Sequence, residues 1–170
     1  MPLPALAAVA GLVAAAHLGQ RGSATNLSEE NKKIIVDLVK RGLVSEARAL
    51  AEELGLDTLD LSGAFLASAN LDSANLQRAN LSNANLTGAY LPRANLNDAN
   101  LTGADLRYAG LFNANLTGAD LTGANLDRAS IPNATGINTG PARTFIGIPH
   151  GYIEARSPFV PGQSTLRRIE

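Results

Sequence analysis

From residue 59 onward the chain repeats itself every five residues. Leucine, once replaced by isoleucine, falls at 61, 66, 71, 76, 81, 86, 91, 96, 101, 106, 111, 116, 121, 126 and 131, which is 15 consecutive hits. A period this regular decides the fold class before any local reading does. Alanine sits two residues before each leucine from Ala64 onward and recurs as far as Ala134, and Leu59 fills the first such slot. The slot just before the leucine is Asn eight times and Asp three times. The second residue after the leucine is Gly or Asn in eight of the 15 repeats. A helix turns about 100° per residue, so a spacing of five walks around it and buries no single face. A flat strand alternates with period two, so an odd spacing sends successive leucines to opposite faces. Five works when each unit is a short extended piece followed by a turn, and every turn bends in the same sense. The chain then coils, with alanine and leucine inside and the other three residues outside. The second residue after leucine suits φ above zero, which Gly and Asn tolerate. Pro92 and Pro132 fall one residue after leucine, where a turn favours the φ of proline.

The run of A-(N/D)-L-x-x units from about 59 to 135 resembles the pentapeptide-repeat family and covers a little under half of the chain. The resemblance implies an all-β solenoid, a right-handed quadrilateral β-helix with four units per coil. By that analogy this chain holds about four coils, roughly 19 Å tall at a strand spacing of about 4.8 Å. Each coil then pairs only with its neighbours, and the two ends are open edges that need caps.

The flanks have a different character. In residues 28–55, Ser28 reads as an N-cap, followed by Glu29 and Glu30 in the first turn and an apolar stripe of Ile34, Ile35, Leu38 and Val39. Gly42 reads as a stop; Ser45 starts a second helix with Ala47, Leu50, Ala51 and Leu54 on one face, and Gly55 ends it. This helical hairpin is expected to lid the β-helix of residues 56–137. Residues 1–20 contain the apolar run 3–18, 16 residues with seven alanines. It is short for a membrane span and lacks the basic start of a secretory signal. Packing on protein, a short membrane anchor and a cleaved targeting peptide all remain open. Residues 138–170 are rich in Pro and Gly yet carry Phe145, Tyr152 and Phe159, which suits an extended arm that seals the last coil or clasps a partner.

No chemistry of catalysis is visible. Cysteine is absent, and His17 and His150 lie in unrelated segments. There is no nucleophile with a base, no phosphate loop and no metal-ligand spacing. No catalytic, cofactor-binding or metal residue is assigned, and no cofactor is expected. Residues 56–136 hold seven Asp and four Arg, so no basic stripe for nucleic acid forms. Some pentapeptide-repeat proteins resemble DNA in shape and charge and bind DNA gyrase. A net charge of −3 over the repeats and leucine at every centre but one fit that role poorly.

Residues 20 apart should stack, which sorts the outward slots by side. Asn75, Asn95 and Asn115 fall into one column that suits a hydrogen-bonded ladder. Tyr90, Pro92, Arg93, Arg107, Tyr108 and Phe112 are expected to converge near one corner. Exposed aromatics flanked by arginine have the composition of an interaction hot spot, so Tyr90, Arg93, Arg107, Tyr108 and Phe112 are the candidate partner-binding residues. Phe65, close to the hairpin, reads as part of the capping core. The function that follows is a non-catalytic scaffold or subunit that docks onto other proteins or onto itself. Its rivals are a membrane-associated subunit held by residues 3–18 and a gyrase-binding DNA mimic. The compartment reads as cytoplasmic or membrane-associated.

Overall fold

The computed structural model describes residues 24–137, 145–146, 152–156 and 164–168. Among the described residues, two helices, α1 (Ala24–Lys40) and α2 (Val44–Glu53), precede the repeats. The described strands that follow are β1 (Ala124–Asn125), β2 (Phe145–Ile146), β3 (Tyr152–Arg156) and β4 (Ser164–Arg168).

The repeat works as the spacing predicts, and the hydrogen bonds show why. All 15 residues in the second slot after leucine have φ between +56° and +72°. Seven of them are neither Gly nor Asn: Ser68, Ser73, Arg78, Arg93, Asp98, Tyr108 and Arg128. Each turn closes with a bond from the next alanine N–H to the leucine C=O, as in Ala64 to Leu61 at 3.0 Å. Parallel bridges join residues 20 apart, from Asp60 with Asn80 to Asn115 with Thr135. From Leu61 to Leu116 the leucine N–H donates to the next coil (Leu61 to Asn80 O, 2.7 Å), and from Gly63 to Asn113 so does the left-handed residue (Gly63 to Ser82 O, 2.8 Å). The residue before leucine donates back to the coil beneath (Asn80 to Leu59 O, 2.9 Å).

That leaves one backbone N–H per unit, on the residue after leucine. The Asn or Asp two residues earlier accepts from it through Oδ1 at all 11 positions where that slot is Asn or Asp. These Asx turns explain a preference that the period alone does not. The leucines and alanines of the repeat form one buried column, with Leu61 to Leu116 at 1% exposure or less.

The expected column of Asn75, Asn95 and Asn115 has no side-chain bond among its three members. Each Oδ1 accepts from the N–H of its own Asx turn. Among the described residues the Asn–Asn and Asn–Asp ladder runs instead through Asp60, Asn80 and Asn100, where Asn80 Nδ2 reaches Asp60 at 3.1 Å and Asn100 Nδ2 reaches Asn80 at 3.4 Å.

The hairpin lids the first coil, with Ile35, Leu38, Val39, Val44, Ala47, Leu50 and Ala51 continuous with the repeat core. Both helices end in Schellman motifs. Gly42 (φ +77°) donates to Val39 while Leu43 donates to Leu38; Gly55 (φ +69°) donates to Glu52 while Leu56 donates to Ala51. Ser28 is not the N-cap of α1, which begins at Ala24. The start of α2 is likewise Val44 rather than Ser45, because the tight turn at Gly42 delivers the chain directly into the helix after Leu43.

Arg48 on α2 caps the lower edge of the first coil. Its Nε donates to Asn75 O at 2.6 Å and its Nη2 to Gln77 O. Those two carbonyls would accept from residues 56 and 58 if another coil lay beneath. A second tie comes from α1: Lys32 Nζ lies 3.0 Å from Asp60 Oδ2 and 2.7 Å from Ser62 Oγ.

At the other end, the repeat stops at Gly136 (φ +75°). β2 then pairs parallel with β1, Ala124 opposite Phe145, an offset of 21 rather than 20. β3 and β4 pair antiparallel, Tyr152 opposite Arg168. The segment read as an extended arm thus carries a rung on the last coil and a two-stranded ribbon. No described helix is long and apolar enough to cross a membrane. The run 3–18, on which the membrane reading rests, lies outside the described residues.

Candidate protein-interaction site

The aromatic side of the solenoid arises from a local exchange. Where the slot before leucine is not Asn or Asp, no Oδ1 is present to cap the N–H two residues on. This happens at Phe65, Tyr90, Gly110 and Ser130. At two of these four, the residue to be capped is a proline, Pro92 or Pro132, and has no N–H. Pro92 therefore releases slot 90 from capping and lets a tyrosine occupy it.

Tyr90 stands opposite Gly110 one coil above. A Cβ on Gly110 would lie 3.7 Å from Tyr90 Cδ2, so the ring lies against the glycine backbone. From there it meets Phe112 edge to face, with centroids 5.7 Å apart at 66°. Pro92 is buried, Phe112 is half-buried and Tyr90 is 47% exposed. Arg93 turns down to the preceding coil, where Nη2 holds both oxygens of Asp72 at 2.8 Å and Nε donates to Ser73 Oγ at 3.2 Å.

Tyr108, 54% exposed, forms a second pair. Arg128 one coil above stacks its guanidinium 5.6 Å from the ring centroid and donates Nη1 to Tyr108 Oη at 3.1 Å. Arg107 folds onto Asp105 through Nε and Nη2, at 2.7 Å for the closest contact. The candidate residues thus fall into two groups. One is Tyr90 with Phe112, flanked by Arg93; the other is Tyr108 with Arg128, flanked by Arg107. Among the described residues, no ring contact joins them.

Three further side chains belong to this surface beyond the candidates named from the sequence: Asp72, Asp105 and Arg128. The signal for Arg128 was present, since it stands 20 residues beyond Tyr108. Applying the stacking register to charges as well as rings finds it. Phe65, expected in the capping core, is instead 62% exposed, with Lys40 Nζ 5.8 Å above its ring. The slot before leucine points outward whatever residue fills it, and the hairpin reaches the ring through Lys40 without enclosing it.

The charge pairs set the electrostatics. The Arg93 hydrogen bonds hold Asp72 below the ordinary carboxylate range, and Asp72 in turn raises Arg93. Arg107 does the same to Asp105. Asp120 is lowered by the Thr122 hydroxyl and N–H. For Asp60, burial pushes upward, but the Ser62 and Lys32 donors outweigh it and the net shift is downward. Every arginine of the aromatic surface therefore already has an internal acceptor. Among the described residues no group of His, Cys, Asp and Glu could hold a metal ion.

The family model for pentapeptide repeats matches residues 59–88, 79–118 and 109–135, with 8 copies. The chain belongs to the pentapeptide-repeat family. Its repeats are a β-helix solenoid, and the family's proteins are typically non-catalytic structural or interaction proteins. Among solved structures, a pentapeptide repeat protein of the Arabidopsis thaliana thylakoid lumen is 32% identical over 55% of this chain and 64% of its own, with a TM-score of 0.49. The pentapeptide repeat protein Rfr23 of the cyanobacterium Cyanothece 51142 is 37% identical over 52% of this chain and 54% of its own, with a TM-score of 0.35. A pentapeptide repeat protein of Nostoc PCC 7120 is 34% identical over 48% of this chain and 79% of its own, with a TM-score of 0.21. The chain thus spans less than two thirds of the first two. No curated protein is significantly similar to it.

Proposed function

We propose that this pentapeptide-repeat protein is a non-catalytic scaffold that docks onto a larger protein assembly through the aromatic side of its β-helix. In this reading the solenoid is the family's right-handed quadrilateral β-helix, with about four coils. The hairpin 28–55 caps one end and the segment 138–170 continues from the other. The observation that carries the reading is the Tyr90–Phe112 pair. Its rings are large, partly exposed and held on a rigid backbone, and Tyr90 fills a slot that is Asn or Asp in 11 of the 15 repeats. Tyrosine and phenylalanine supply contact area at little entropic cost, which is what a docking anchor needs. The pairing of Arg93 and Arg107 with Asp72 and Asp105 weighs against a DNA mimic, because it cancels negative charge that such a rod would display.

The test is cross-linking mass spectrometry on the full-length chain in its source cell. The wild type is expected to give one recurrent partner, and Tyr108→Ala with Phe112→Ala is expected to lose it while its thermal melt stays cooperative. Unchanged partner recovery by the folded double variant would overturn the reading.

A further inference from the structure

We infer a second docking site, at the lower rim of the first coil beside α1, which accepts an extended acidic peptide segment of another protein as an added strand. The rim is unevenly covered. Arg48 satisfies the carbonyls of Asn75 and Gln77, but the C=O groups of Phe65 and Ala67 and the N–H of Phe65 bond to no described residue. Every equivalent group one coil up is paired: Asn85 O accepts from Leu66, Thr87 O from Ser68, and Asn85 N–H donates to Ala64. An unpaired strand edge of this kind is a template for another strand. A parallel segment laid beneath Phe65–Ala67 would repeat the same pattern, giving two alternate N–H groups and receiving one.

The adjoining space suits a chain. A cleft of about 400 Å³ lies between α1 and Ser62–Ala64, next to the exposed Phe65 ring. Its charges are partly spent. Lys32 is paired with Asp60, and Asp37 with Arg41. Lys33 and Lys40 form no ion pair with a described residue, and Glu29 is the remaining lone carboxylate of the lining, so the free balance is one positive charge. An occupant with carboxylates matches that balance. Residues 1–28 do not, since they hold no Asp or Glu.

The experiment titrates the isotope-labelled full-length chain with an acetylated peptide of alternating Glu and Val, and follows the backbone amides by NMR. Shifts at Phe65–Asn70 and Lys33–Lys40 are expected. N-methylation of the central peptide amides, and separately Lys33→Glu with Lys40→Glu, should each weaken binding about tenfold or more. A Lys–Val peptide should bind about tenfold more weakly than the Glu–Val one. Absence of shifts at millimolar peptide overturns the inference. So does equal binding by the N-methylated or the Lys–Val peptide, or an unaltered affinity in a lysine variant whose circular dichroism is that of the wild type.

Discussion

Proline at 92 removes an amide hydrogen, and that deletion is what lets a tyrosine stand at 90. The two residues should therefore be coupled energetically. Pro92→Thr restores an N–H with no Oδ1 to receive it and is expected to cost about 1 kcal/mol or more. Adding Tyr90→Asn supplies the acceptor and should return part of that loss, so a double-mutant cycle by urea denaturation should give a positive coupling. Glycines separate by their surroundings in the same way. A Cβ on Gly136 would run into the backbone of Leu116 and Thr117 at φ +75°, so Gly136→Ala is expected to lower stability by about 2 kcal/mol or more. Gly110→Ala meets only ordinary contact with Tyr90 and should change the melt by less than about 0.5 kcal/mol. The sequence shows the glycine-rich turn slot through Gly63, Gly88 and Gly103. It does not show that Arg78, Tyr108 and Arg128 adopt the same left-handed conformation. A non-glycine residue there costs about 1–2 kcal/mol, and at Arg78 and Tyr108 the coil-to-coil bond from the N–H offsets this.

At the level of elements, the hairpin acts as a lid because it presents one guanidinium to two orphan carbonyls. Arg48→Met keeps the aliphatic stem and removes the donors. It should cost about 1–3 kcal/mol in chemical denaturation and leave the repeat backbone intact. The helices themselves were legible from their apolar stripes and from Gly42 and Gly55, and their start positions were not. Ser28 and Ser45 look like caps in isolation, but α1 starts four residues earlier and α2 is launched by the preceding Schellman turn. The rung at β2 and the ribbon of β3 and β4 had no period to announce them. Two residues pairing across an offset of 21 leave no pattern in a sequence otherwise set to 20. The aromatic surface was half legible. Its rings were found by stacking, while the acids and Arg128 that neutralise or cover it needed the same register applied to charges.

For the whole molecule, acid should be the sensitive direction. Asp60, Asp72, Asp105 and Asp120 all have their pKa lowered in the folded chain. A lowered folded pKa means that the stability these groups contribute is present above the unfolded value, near 4, and is lost as pH falls through the lower folded values. Thermal melts should hold nearly constant from pH 7 to about 5 and then drop steadily below about 4. Asp120, lowered chiefly by the Thr122 hydroxyl and N–H of its turn, should lose its contribution even in salt. The Arg93–Asp72 bridge lies at the surface and should weaken as salt is added.

The pairing of each residue with one 20 positions away also governs how such a gene can grow. Duplicating five residues between Tyr90 and Phe112 would keep every leucine inside yet turn all that follows by a quarter of the circuit, so that the two rings would no longer face each other. Duplicating 20 would lengthen the molecule by about 4.8 Å and return each side chain to its own column. Length can then vary without disturbing what any side displays, provided that the change comes in whole circuits.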